Sequence, residues 1–267
     1  METRRLKNIA ILILLLVNAF LLFLLAYQEL QARRVEREAM SELVHLFATE
    51  ELELSSRADL LLESLVPLSP VRSAETEAQI AAFFLGESVA EQSEGGGIVS
   101  YTSSVGTIQF RSNGGFDTMR FMRPVEDVDA FVQDFCSKFD YGDIVGSAEN
   151  GSGSYTAVKE IDSVSVYGCT VTLTFRDGYL VGAVGAHVDA NDAQADNSNY
   201  LSCMSALVRF FDHRRAQGVV CSAIESVQCV YRLQSSGGTP QLVPLWVVET
   251  DTYTYLVDGI TGDVSRK

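Results

Sequence analysis

Five cysteines, three histidines and a loose run of aspartates are the residues best suited to chemistry in this 267-residue chain. The cysteines are Cys136, Cys169, Cys203, Cys221 and Cys229. No two of them make the C-x-x-C spacing of a zinc knuckle or a dithiol redox site. Outside a cell some could pair as disulfides, with at least one left free. In a core they serve equally as small apolar residues. His45, His187 and His213 lie far apart, so a Cys–His nucleophile pair needs distant segments brought together. No H-E-x-x-H, G-x-S-x-G or P-loop pattern occurs. Asp189, Asp192 and Asp196 offer oxygen ligands for calcium, but their spacing is not that of an EF-hand and reads as a solvated loop. Gly95-Gly96-Gly97 has no helix behind it to form a phosphate loop and reads as a turn. Asn150-Gly151-Ser152 has only the form of a glycosylation acceptor. These residues name no reaction. The expectation is a protein that is not an enzyme and uses no cofactor or metal.

Composition narrows the partners. Thirty-five acidic residues against twenty basic ones give a net charge of −15 and a pI near 4.6. Phosphate binding needs clustered Lys and Arg, so nucleic acid is excluded as a partner. Apolar residues make up 47% of the chain, enough for a sizeable core.

The elements that must position these residues begin with a membrane segment. Nothing between Lys7 and Glu29 is charged, and Ile9 to Tyr27 is apolar apart from Asn18. A bilayer-spanning helix needs about 20 such residues. The exit Leu25-Ala26-Tyr27-Gln28 is a poor cleavage site, so an uncleaved signal anchor is expected. Arg4, Arg5 and Lys7 before the span nearly balance Arg33, Arg34 and Arg37 after it. The expected topology is a single pass in the cell membrane, with the N-terminus cytoplasmic and the C-terminal domain extracytoplasmic. Beyond residue 27 the chain holds 17 bases and 34 acids, a charge repelled by anionic lipid. Asn18 sits mid-span and is the one polar handle for a neighbouring helix.

The first proline is Pro67 and the first glycine Gly86, so the helix is free to continue past the bilayer as a stalk. Met40, Leu43, Val44 and Phe47 give it an apolar face. From Ser73 one pattern recurs three times, a helix and then short strands. In the first unit Ser73 reads as N-cap, Ile80, Ala81, Phe84 and Leu85 as the buried stripe, and Gly86 as the stop. Ser112-Asn113-Gly114-Gly115 reads as a hairpin turn. In the second unit Pro124 is placed at the first helical position, and Gly146 to Ser154 reads as a Gly/Ser-rich loop. In the third unit Asn197, Ser198 and Asn199 read as caps, Met204, Leu207, Val208 and Phe211 as the stripe, and Val219–Val220 as a strand. The expected fold class is α+β: one transmembrane helix, then tandem helix-plus-antiparallel-sheet units. The expected divisions are a tail (1–8), anchor (9–27), stalk and connection (28–72), and units at 73–121, 122–190 and 191–267.

The third unit carries a resemblance. Pro244-Leu245-Trp246-Val247-Val248, a hairpin, then Tyr255-Leu256-Val257-Asp258-Gly259-Ile260-Thr261-Gly262-Asp263-Val264 resembles the ending of PepSY-like domains. On its own physics this motif is structural. Pro244 suits a sheet edge or a strand start, Trp246 and Tyr255 a core, and Gly259 and Gly262 the positive φ of turns. With the span and stalk, the layout is similar to YycI-type proteins and their YycH relatives, which are single-span proteins of low-GC Gram-positive bacteria. The resemblance implies PepSY/cystatin-like units and a regulatory contact with a YycG (WalK) sensor histidine kinase, with a YycH-like companion as a further partner. The other class of function left open is an envelope peptidase modulator or inhibitor built on PepSY-like units.

Overall fold

The computed structural model describes residues 16–18, 20, 24, 42, 45–50, 52–54, 64–86, 90–190, 193–195, 199–237 and 239–267. Two short strands come first, β1 (Glu53–Leu54) and β2 (Leu68–Ser69). Helix α1 (Ala74–Leu85) starts where the Ser73 side chain accepts a hydrogen bond from the Thr76 amide, and it stops at Gly86. Ile80, Ala81, Phe84 and Leu85 form its buried stripe. An antiparallel meander follows: β3 (Ala90–Gly95), β4 (Ile98–Ser103), β5 (Gly106–Phe110) and β6 (Gly115–Met119).

The order then repeats. After β7 (Arg123–Pro124), Asp127 caps α2 (Val128–Phe139) on the Ala130 amide. The second meander is β8 (Tyr141–Glu149), β9 (Ser152–Ile161), β10 (Val164–Arg176) and β11 (Tyr179–Ala186). After β12 (Gln194–Ala195), Ser202 caps α3 (Cys203–Gln217), which ends at Gly218. The third meander is β13 (Ala223–Ser236), β14 (Thr239–Thr250), β15 (Thr254–Asp258) and β16 (Val264–Arg266). The chain is therefore α+β, with few helices and a large, mostly antiparallel sheet.

The meanders are joined in two ways. β6 and β11, the last strands of the first two, pair antiparallel and join both meanders in one layer, to which β7 adds at β11. α1 and α2 pack against each other on it, with Phe83 5.0 Å from Phe131 and Phe84 5.0 Å from Phe135. They share a core that includes Phe116, Leu173 and Leu180. The third meander attaches through a parallel pairing of β10 with β13, at Val166↔Tyr231 and Tyr167↔Arg232. Its own core gathers Phe47, Leu52, Phe210, Trp246, Tyr255 and Val257. A small junction cluster of Ile161, Val166, Cys169, Val188, Tyr231 and Leu242 lies between the two.

Several local expectations are corrected. Residues 146–154 are not a loop but the facing ends of β8 and β9, turning at Asn150-Gly151. Pro124 lies in β7, three residues before the cap Asp127, because its missing N–H suits a strand end as well as a helix start. The cap of α3 is Ser202, downstream of Asn199. Its buried stripe is rotated to Cys203, Ala206, Leu207, Phe210 and Phe211, leaving Val208 exposed. Val219–Val220 is not a strand, and Val220 is 83% exposed. β3 is a strand that the sequence does not announce, since Ala90–Gly95 carries no apolar alternation. Of the expected span only Leu16, Val17, Asn18, Phe20 and Leu24 are described, all helical and exposed. Among the described residues no helix is long and apolar enough to cross a membrane. Met40, Leu43 and Val44 of the stalk face lie outside the described residues.

Candidate functional site

The richest group of ionisable side chains forms where α2 ends. Asp140 takes a left-handed conformation, φ 54°, and turns the chain into β8. Tyr155, Ala157, Lys159 and Ile161 alternate inward along β9, so a lysine stands on an apolar face. Lys159 is 4% exposed; its Nζ donates to the Phe139 carbonyl at 2.7 Å and lies 3.4 Å from Asp140 Oδ2. An ammonium there meets the negative end of the helix dipole. Burial lowers its pKa, and Asp140 acts in the other direction. Tyr141 lies beneath it, with Nζ 5.6 Å from the ring centroid. The Tyr141 hydroxyl donates to the Ala186 carbonyl at 2.7 Å and sits 3.3 Å from His187 Nδ1. Cys169 Sγ donates to the same carbonyl at 3.2 Å.

Desolvation sets the protonation of this group. Burial, with help from the Lys159 charge, pushes His187 down to about 3. Burial pushes Cys169 up to about 12, Cys136 up to about 11 and Tyr141 well above the usual phenol range. Near neutral pH the imidazole, thiols and phenol are therefore all uncharged. A thiol nucleophile needs its thiolate, which these surroundings suppress. A cavity of about 480 Å³ opens beside Lys159, lined by Ser137, Asp140, Glu160, Asp162 and Asp189 among others. It is a polar recess with one ammonium among carboxylates, suited to hydrogen bonding.

The residues singled out from the sequence are dispersed. Asp189 accepts from Thr76 Oγ1 at 3.0 Å, which ties it to α1; Asp192 and Asp196 lie outside the described residues. Among the described residues no three His, Cys, Asp or Glu side chains converge as a metal set. All five cysteines are buried. His45 is exposed, and the His213 ring lies 6.2 Å from that of Tyr255. Gly95, Gly96 and Gly97 lie at the β3–β4 turn. Asn18 is helical and exposed. Sequence reasoning misses Lys159 and Tyr141. The one available signal is a lysine in phase with the inward residues of β9.

The C-terminal motif works as a clamp. The Trp246 indole donates to the Leu201 carbonyl at 3.0 Å, and the Leu201 amide donates to Gly259 O at 2.7 Å. The Gly259 amide donates to Pro244 O at 2.8 Å. A Cβ on Gly259 would stand 2.5 Å from that oxygen, so only glycine fits. Asp258 Oδ1 accepts from the Ile260 and Thr261 amides, both at 2.8 Å, while Oδ2 pairs with Arg232. Burial alone would raise the Asp258 pKa; the two amides and Arg232 outweigh it and hold the carboxyl below its ordinary range. Thr261 Oγ1 donates to Asp263 at 2.8 Å, Gly262 adopts φ 77°, and Tyr255 is buried 5.1 Å from Phe210. The motif fixes Leu201, and so the start of α3, on the sheet.

The third unit also receives the N-terminal helix. Residues 45–49 are helical, and Phe47 packs 5.3 Å from Phe211. Leu52 is fully buried, and β1 pairs parallel with the start of β13.

This geometry defines a protein of three helix-plus-meander units, with a clamp at α3 and a packed joint at its N-terminal helix. No known family and no curated protein matches the chain. Two solved structures align with it. An uncharacterized protein from Eubacterium rectale ATCC 33656 covers 81% of this chain and 86% of its own, at 10% identity and a TM-score of 0.34. The Bacillus megaterium YpeB C-terminal domain covers 74% of this chain and 98% of its own, at 13% identity and a TM-score of 0.33. Scores this low assign neither fold nor function. Neither name is that of a YycI or YycH protein.

Proposed function

We propose that this chain is a membrane-anchored extracytoplasmic regulatory protein whose PepSY/cystatin-like units modulate a sensor histidine kinase of the YycG/WalK type. The supporting observation is the joint. Phe47 and Leu52 are built into the core of the third unit, so movement of the N-terminal helix is felt by the domain. The charge-free stretch Ile9–Tyr27 favours anchoring. The neutral, buried thiols favour action by binding over catalysis. A protein of this kind acts by binding two states of its partner unequally. Asn18 and the apolar span offer the contact in the bilayer, and the acidic domain offers one outside, to the kinase's sensor region or a YycH-like companion.

Replacing Leu12–Leu25 with polyleucine keeps the anchor and removes the helix-specific contact. Helix–helix terms of about 1–2 kcal/mol shift such an equilibrium several-fold. The chimera is expected to stay folded and anchored while kinase-target transcription changes several-fold. Native regulation by the chimera would reduce the span to an anchor. If deleting the gene leaves those transcripts unchanged, the kinase reading falls and the peptidase-modulator reading replaces it.

A further inference from the structure

Residues 45–50 and 52–54 are fastened unevenly to the third unit. Two side chains go deep, Phe47 at 1% exposure and Leu52 at 0%. The rest of the attachment is thin. Among the described residues β1 pairs with β13 at Glu53↔Ala223 and Leu54↔Ile224, whereas β13 and β14 match at twelve positions. Leu46 and Glu53 face solvent. Arg214 spans the seam: Nη2 donates to Cys221 O at 3.2 Å, Nη1 reaches Glu50 O at 3.4 Å, and Nε is buried with no partner. A buried donor without an acceptor costs free energy. That cost lasts only while the segment is seated, because its departure lets water reach Arg214. The remaining core of Phe210, Trp246, Tyr255 and Val257 is assembled from α3 and the meander, not from the segment.

We propose that residues 45–50 and 52–54 form a releasable latch, which leaves its slot beside Phe211, Cys221 and β13 while the rest of the third unit stays folded. The joint between helix and domain then has two states. Seated, the latch transmits helix position to the sheet. Released, it frees the helix and bares an apolar slot at Phe211 and Ile224. This deepens the regulatory reading, which requires two states at the joint, but its test involves no kinase. The opening is a local one, confined to this weakly held segment.

The five cysteines report it. Cys221 borders the slot, whereas Cys136 lies in the shared core of the first two units and Cys229 pairs with Trp246. Burial holds the Cys221 thiol above its ordinary range, and Arg214 opposes that. Once the latch leaves, burial fades and Arg214 remains, so the thiol becomes reactive. The experiment is maleimide labelling of the full-length protein in native membranes, with each cysteine followed by peptide mass spectrometry. Cys221 is expected to react about tenfold or more faster than Cys136 and Cys229, as local opening requires. Phe47→Ala should speed Cys221 by about tenfold again and leave Cys136 unchanged. One common rate for all five cysteines, or a common acceleration in the variant, overturns the latch. If Phe47→Ala does not accumulate, low urea serves instead. Wild-type labelling of Cys221 should then be nearly flat in urea while the other four climb, since local opening exposes little surface. Equal urea dependence overturns the proposal. A latch that opens as expected, with kinase-target transcripts unmoved by deletion, keeps the latch and removes the kinase.

Discussion

His187 shows how much one residue depends on its surroundings. Folded, it takes a proton only near 3; its ordinary value is 6.5. Between those limits the unfolded chain binds more protons, so stability falls as pH drops from 6.5 toward 3. Each pH unit between the two values is worth about 1.4 kcal/mol, so the full effect amounts to a few kcal/mol. His187→Gln removes the titrating group. Urea unfolding of the variant is expected to lose most of the wild-type decline between pH 6.5 and about 5, above the range in which carboxylates such as Asp258 begin to take up protons. A wild-type slope that survives in the variant would assign the effect elsewhere. Lys159→Met tests the neighbour, leaving the Phe139 carbonyl unpaired at a cost of about 1–3 kcal/mol. The histidine was legible as a type and a position, but its company was not. Tyr141, Lys159, Cys169 and His187 come from β8, β9, β10 and the end of β11, and no local spacing encodes those pairings.

Elements were legible where one stretch of chain decides them. Ser73, the stripe of α1 and the stop at Gly86 all follow from side-chain chemistry within four residues. The β8–β9 hairpin was not legible because its glycines serve close approach between strands. A Cβ on Gly146 or on Gly153 would collide with the backbone of the opposite strand. The same Gly/Ser composition elsewhere marks a loop, so the sequence pattern is ambiguous. The clamp in the third unit is a sharper case. Gly259 and Gly262 read as turn glycines of positive φ; Gly262 adopts one at 77°, whereas Gly259 is needed for its close approach to Pro244, and its contact with Leu201 spans more than fifty residues. Gly259→Ala forces the turn away from Pro244 and loosens the start of α3. A loss of about 1–3 kcal/mol is expected, of the size that overpacking causes. Thr261→Ala, at an exposed position, should cost about 0.5 kcal/mol or less. Chemical denaturation followed by Trp246 emission compares the two; equal losses would remove the clamp from the argument.

At the scale of the molecule, the repetition of helix and meander is written in the sequence, but the way the units join is not. β6 and β11 are edge strands of their meanders and pair, while β13 takes the stretch of β10 at Val166–Tyr167 that neither β9 nor β11 covers; nothing local selects these partners. The two joins differ in kind. The first fuses two units over one core that contains both helices. The second is two parallel residue pairs over a cluster of six buried side chains. Cooperativity follows shared buried surface, so the first two units should unfold together and the third separately. Trp246 is the chain's one tryptophan, buried in the third core, so its emission reports that unit alone. Urea unfolding followed by Trp246 emission should not coincide with the transition in far-ultraviolet circular dichroism, which sums all three units. Tyr231 is the test of the seam: it fills the junction cluster, and its hydroxyl donates to Val66 O at 3.2 Å. Tyr231→Ala should cost about 3 kcal/mol at the junction and move the two transitions further apart. Coincident transitions in both proteins would mean that two residue pairs and six side chains suffice to make three units fold as one.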